Sequence, residues 1–354
     1  MPHPTLTRAD VDAIQATLDG IRREVVADLG ERDARYIRGV VRVARLGAAG
    51  GRALLMFGIG PVTWVLGVGA LATAKILENM EIGHNVMHGQ YDWMNDPTLS
   101  SQTYEWDNVC DADQWRHYHN IVHHTFTNVL GKDRDFGYGF LRLEDAQPWR
   151  PLHLVQPALT VVLGALFQWG VGMHDLELVD PPPDRDLRTL ATKFRPFLSK
   201  AARQLWKDYV LFPALALANA PRVFAGNLTA NLLRNVWTHV VIFCGHFPDG
   251  VQTFDEAELV HETRGDWYVR QLTGSANIDG GPLFHLLSGN LSHQIEHHLF
   301  PDLPAHRYAE IAPRVRALSA RYGLPYATGG LLAQYASVFR RIVRGSLPPL
   351  PAVV

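Results

Sequence analysis

Apolar residues run in long blocks along this chain rather than in short alternations, as in helices that pack within an apolar medium. From Ala53 to Leu77 the sequence reads ALLMFGIGPVTWVLGVGALATAKIL, with no charge before Lys75. At 1.5 Å per residue, such a block can cross a hydrocarbon core of about 30 Å. Gly58, Gly60 and Pro61 interrupt it and predict a hairpin, with a short helix from about Val43 and a longer one from Trp64. Leu152–Met173 is a second block, with a kink expected at Pro157. Tyr209–Ala220 and Val223–Phe247 are a third and a fourth, parted by Pro221 and Arg222. Together the blocks predict an all-α integral membrane protein with about four transmembrane helices.

The polar stretches set the rest of the outline. Thr7 to Asp10 reads as a capping box, and Asp10–Ala44 has the mixed spacing of a surface helix. Asp180–Asp184 (DPPPD) is a turn, Gly274–Pro282 a loop, and Pro304–Tyr322 a basic amphipathic helix. Arginines at 22, 23, 32, 35, 38, 42 and 45 precede the first block, and Arg185–Lys207 is rich in Lys and Arg. The positive-inside rule places both regions in the cytoplasm. Hairpins at 43–83 and 208–246 then leave a His-rich cap on that side. The block at 152–173 has the wrong parity, so it either lies in the interface or pairs with a further crossing. With no internal repeat, residues 1–354 read as one domain: an N-terminal cytoplasmic helix (1–42), membrane helices (43–246) and a cytoplasmic region (247–354).

Charge and cysteines exclude some chemistries. A formal charge of −2 gives no electrostatic reason to expect nucleic acid. Cys110 and Cys244 stand far apart, in no thiolate-ligand spacing. Histidine is where the chemistry concentrates. Of 17 histidines, His84 and His88, then His117, His119, His123 and His124, then His293, His297 and His298 fall in three short windows. Imidazole is a common ligand for Zn, Cu and Fe. His84/His88, His119/His123 and His293/His297 are each four apart, so each pair lies on one helical face. His124 and His298 point about 100° away from their neighbours, an arrangement suited to a dinuclear centre. His246, at the end of the fourth block, is placed to complete the shell. His3, His153, His174, His261 and His306 read as ordinary solvent or interface residues, with His239 and His285 left open.

Two rivals arise from the residues alone. HQIEH at His293–His297 fits the inverted zinc-peptidase pattern, with Glu296 as base, but leaves two clusters unexplained and only Glu310 as a later Glu ligand. A non-catalytic membrane metal-binding protein would explain the histidines but not the spanning blocks.

The boxes HNVMH, HNIVHH and QIEHH, with WYVRQLTGSANI before the third and LFPDLPAHRY after it, resemble the membrane-bound fatty acid desaturases over roughly residues 75–325. The detail is most similar to acyl-CoA desaturases of mycobacteria and related actinobacteria. The resemblance implies as metal ligands His84, His88, His119, His123, His124, His246, Gln294, His297 and His298, with His293 as an alternative to Gln294. It also implies two non-haem iron ions, O2 as co-substrate, and insertion of a cis double bond into a long-chain acyl group, at C9 of an acyl-CoA. A di-iron hydroxylase is the alternative reaction within the same superfamily. Glu81, Asp133 and Asp135 are candidate partners for the ligand rings. No haem-binding segment, Rossmann fingerprint or Cys cluster is present, so electrons are expected from a separate donor, either ferredoxin with an NADPH reductase or a cytochrome b5 type. The expected location is the plasma membrane, multi-pass among membrane lipid, with the active site facing the cytoplasm.

Overall fold

The computed structural model describes residues 6–174, 176–178 and 186–349. His3 and the Asp180–Asp184 turn lie outside the described residues. Those residues are mostly helical, with two three-residue strands, Asn277–Asp279 and Thr328–Gly330, paired in parallel. The first of these strands occupies the segment read from sequence as a loop.

The capping box forms as expected: Thr7 Oγ1 accepts from Asp10 N at 3.2 Å, and Asp10 Oδ2 accepts from Thr7 N at 2.9 Å. Helix α1 (Arg8–Ala27) buries Val11, Ile14, Leu18, Ile21 and Val25, an i, i+3, i+4 stripe. That stripe packs on Tyr268, Leu272, Ile295, Leu299 and Tyr308, the elements flanking the third histidine box. The expected single helix over Asp10–Ala44 is instead two. The chain breaks at Asp28–Gly30, where Gly30 N donates to Asp33 Oδ2 at 3.0 Å, and α2 runs from Glu31 to Phe57. The first arm of the hairpin is therefore a 27-residue helix, not a short one from Val43.

Helix α3 (Gly60–Ile76) returns beside α2, and the two approach closely through glycines. A Cβ on Gly51 would stand 2.8 Å from Leu71 N and 2.9 Å from Gly67 O. Gly51→Ala therefore overpacks this contact and is expected to destabilise the protein by about 1–3 kcal/mol. A lowered unfolding temperature in detergent checks it.

Helix α3 continues without interruption to Met87, and Gly60–Met87 is the one described helix long and apolar enough to span a membrane by itself. Its last turns, Leu77–His84, are π-helical, as are Arg116–His123 and Trp206–Leu211. Widened turns of this kind occur mostly at functional sites. Two of them carry the first and second histidine boxes.

The second apolar block is not straight: Pro151–Ala165 and Phe167–His174 meet at 105°. The bend falls at Leu166, not at the expected Pro157, because Pro157 sits in the first turn of its helix where no N–H is needed. Likewise Pro221 opens the long helix Ala220–His246 instead of separating two blocks. The break before it lies at Leu217–Asn219, with Leu217 at φ 50°. Large apolar side chains stand exposed around these helices, among them Leu46, Phe57, Val62, Val65, Leu215 and Phe224. A water-facing surface rarely gathers so many.

Candidate metal centre

Four chain segments deliver the histidines to one place. The π-helical end of α3 brings His84 and His88, the helix Ala112–Phe126 brings His119, His123 and His124, the long helix ends on His246, and the short helix Gln294–Leu299 brings His297 and His298. Two adjoining groups result. Ring nitrogens of His84, His88, His119 and His297 lie within 4.8 Å of one another, as do those of His123, His246 and His298. His84 Nε2 and His297 Nε2 are 3.3 Å apart. His124 sits between the groups, its ring 4.7 Å from His88, 4.9 Å from His297 and stacked on His298 at 4.5 Å.

Hydrogen bonds on the outer nitrogens fix which way these rings face. A carboxylate only accepts, so His123 Nδ1–H donates to Asp133 at 3.0 Å and His119 Nδ1–H to Asp135 at 3.2 Å. Tyr308 donates its hydroxyl to Phe300 O at 3.0 Å, which leaves it to accept from His297 Nδ1 at 3.3 Å. His298 Nδ1 donates to Gln271 Oε1 at 3.1 Å. The Nε2 atoms of His88, His119, His123 and His298 have no hydrogen-bond partner among the described residues, nor does either nitrogen of His124. Buried polar atoms left unpaired cost about 1–3 kcal/mol each, and so many converging on one space fit a bound cation.

Electrostatics agree. Burial pushes the imidazoles of His124, His297 and His298 well below their ordinary pKa, keeping them neutral, the form that binds metal. Burial lowers His123 as well, but the charge and hydrogen bond of Asp133 outweigh it and the net direction is up. Asp135, which burial alone would raise, is held well below the carboxylate range by His119 and His174.

The remaining candidates separate cleanly. Gln294 lies beside the second group, its amide 3.0 Å from His246 Nε2, in a space that Gly245 leaves open: a Cβ there would stand 2.9 Å from Gln294 Cγ. His293 instead turns away and stacks on His285 at 4.6 Å. Asp133 and Asp135 hold the rings of His123 and His119, whereas Glu81 accepts from Tyr36 and Asn290. Glu296 also faces away: Tyr326 and Asn277 donate to it at 2.7 and 2.8 Å, and burial pushes its carboxyl up to about 7. Glu310 pairs with Arg307 and Arg32, and Glu296 Oε2 stands 3.9 Å from Nδ1 of His293, the ring that turns away from the two groups.

His117 and His261 are exposed, and His153 caps a 3-10 turn by accepting from Arg150 N. His306 pairs with Asp33 at 2.9 Å, and His239 packs on Phe243 at 3.9 Å. His174 is a correction. It is no surface residue but stands 3.4 Å from Asp135 Oδ1. Spacing alone also missed Gln271, Tyr308 and Trp115, whose ring stacks on His119 at 4.4 Å. Gln271 and Tyr308 fall within WYVRQLTGSANI and LFPDLPAHRY, the segments that extend the resemblance beyond the boxes, and Trp115 lies one helical turn before His119.

A cleft opens onto His84, His119, His123 and His246 and is lined on its apolar side by Met80, Trp106, Trp115, Phe167 and Ile242. Asp133→Asn keeps the shape of the partner and removes its charge, so a loss of about 10–100-fold in metal affinity or activity is expected. Metal titration of the purified variant checks it.

A helical protein that gathers buried imidazoles into two adjoining groups beside an apolar cleft has the donor set of a transition-metal centre. The chain belongs to the fatty acid desaturase family, whose sequence profile matches residues 59–330. It is 47% identical to the NADPH-dependent stearoyl-CoA 9-desaturase of Mycobacterium tuberculosis over 97% of this chain and 82% of that protein. It is also similar to the sn-1 linoleoyl-lipid 6-desaturase of Synechocystis, at 24% identity over 84% of this chain and 85% of the relative. Human fatty acid desaturase 3 shares 30% identity over 36% of this chain and 27% of its own length.

Proposed function

We propose that this protein is an O2-dependent acyl-CoA desaturase that places a cis double bond at C9 of a stearoyl-length chain. The observation that carries the reading is the pair of histidine groups opening onto one apolar cleft. One iron would be held by His84, His88, His119 and His297, the other by His123, His246 and His298, with Gln294 beside His246 and His124 between the two. When bound, iron supplies the redox chemistry with O2 that an unactivated methylene requires. The protein's own part is positional. Asp133, Asp135, Gln271 and Tyr308 hold the Nδ1 protons, so each ring presents Nε2 inward before metal arrives. Trp106, Trp115 and Ile242 exclude water from the acyl chain and hold a chosen methylene against the rings.

The chain crosses the plasma membrane more than once, with the histidine groups on the cytoplasmic side. Exposed Arg35, Arg38, Arg42 and Arg45 on the first half of α2, followed by exposed Leu46 and Phe57 on the second, support that orientation. Electrons come from NADPH through a separate carrier docking on the same side. The M. tuberculosis relative's dependence on NADPH supports the reductant, and the absence of a Rossmann fingerprint or Cys cluster in the sequence supports the separate carrier. Purified protein supplied with stearoyl-CoA, NADPH, a reductase system and O2 should yield a product lighter by two hydrogens, unsaturated at C9. A product heavier by one oxygen would make it a hydroxylase, and no product under reducing conditions would reject the reading.

A further inference from the structure

The cleft that begins at the histidines descends along one face of the long helix Ala220–His246. His246, Ile242, Thr238, Asn235 and Arg234 all line it. At 1.5 Å per residue, the twelve residues from His246 to Arg234 span ~18 Å along the helix axis. The character of the lining changes on the way. Near the rings it includes Trp115 and Met80; twelve residues down the helix it includes Arg234 and Asn235, and Asn235 Nδ2, donating to Ala165 O at 2.8 Å, brings the start of the Phe167–His174 helix, with Gln168, to the same level.

Two atoms at that far end have no partner among the described residues. Arg234 is 1% exposed; its Nε donates to Asn235 Oδ1 at 3.0 Å and its Nη1 to Asp107 O at 3.5 Å, but Nη2 donates to nothing. Gln168 is 4% exposed, and its Oε1 accepts from nothing. One is a free donor and the other a free acceptor, both on the wall of the same cavity. The Arg234 charge has nearby compensation: Asp107 accepts from Lys207 Nζ at 2.6 Å, and Asp208 from Lys75 Nζ at 2.9 Å. The guanidinium is held by Asn235 Oδ1 and Asp107 O, and Arg234 is one of the residues lining the cleft.

Resting on the acyl-CoA reading above, we propose that Arg234 and Gln168 form a polar floor that ends the acyl tunnel and sets the longest chain accepted. Unpaired buried donors and acceptors hold water where the space is polar enough. A methyl group pushed onto them must displace that water and leave both atoms unpaired, a loss greater than the gain from burying one more methylene. The chain end therefore stops short of this layer. Because the histidines fix where the double bond goes and the floor fixes where the methyl end stops, the two together select chain length.

The test compares stearoyl-CoA with its homologue two methylenes longer, under identical reducing conditions. Gln168→Leu keeps the bulk and removes the unpaired oxygen; Arg234→Met removes the guanidinium but also loosens its neighbours, so Gln168→Leu decides if that variant does not fold. The expected result is that Gln168→Leu raises the ratio of longer-chain to stearoyl turnover by about tenfold or more, the scale of methylene discrimination in a pocket, with the double bond still at C9. A Gln168→Leu enzyme with the parent's ratio overturns the floor, as does one that retains its metal yet turns over neither chain. Failure of the parent protein to desaturate either chain instead removes the desaturase reading, and the floor with it.

Discussion

His297→Ala and His298→Ala are each expected to abolish turnover, and each to deplete metal from a different half of the centre. The two residues are consecutive, yet their rings stand 5.5 Å apart with planes at 84°. His297 joins His84, His88 and His119, while His298 joins His123 and His246. Losing either removes a direct donor, so the effect should exceed the roughly 10–100-fold typical of an outer partner such as Asp133. Elemental analysis of the purified variants, alongside turnover, measures both quantities. Full iron content with retained activity in either variant would refute the assignment.

Arg307→Ala should produce the largest loss of stability. Arg307 is buried and grips Asp33, which is fully buried, through Nε at 2.6 Å and Nη2 at 3.0 Å, while Nη1 reaches Asp28 and Glu310 at 2.9 Å each. These contacts fasten the α1–α2 junction to the segment that follows the third box. Removing the guanidinium strands the Asp33 carboxylate in the interior with the His306 ring and the Gly30 N–H as its remaining partners. Breaking such a pair from one side costs about 3–5 kcal/mol. Tyr308, the next residue, holds His297, so the variant should lose metal as it loses stability. An Arg307→Ala protein that melts with the parent would show that this fork is dispensable.

Much of the site was legible because metal ligation leaves a local signature. Pairs at i, i+4 and adjacent His–His doublets encode direction around a helix, and direction is a property of one segment. His123/His124 and His297/His298 diverge as that arithmetic requires. The Thr7 cap, the Gly58–Pro61 interruption and the all-helical class were equally local. His293 against Gln294 was not. Both sit on the same short segment, and their surroundings come from elsewhere: Gly245, on another helix, leaves room for Gln294 beside His246, while His293 stacks on His285. His174 was misread for a similar reason: its environment is set by Asp135, far away in sequence. The bend at Leu166 and the break at Asp28–Gly30 escaped because neither is marked by an interior proline.

By itself, then, the order of residues determined which side chains were candidate donors and on which helical face each would lie, since backbone periodicity acts over a few residues. The folded chain decided which faces meet. It placed His84 with His297 and His123 with His246, turned Glu296 toward Tyr326, and closed the cleft at Arg234 and Gln168. Those outcomes depend on contacts between segments from 30 to 213 residues apart or on the space neighbouring helices leave, and no local periodicity carries that information.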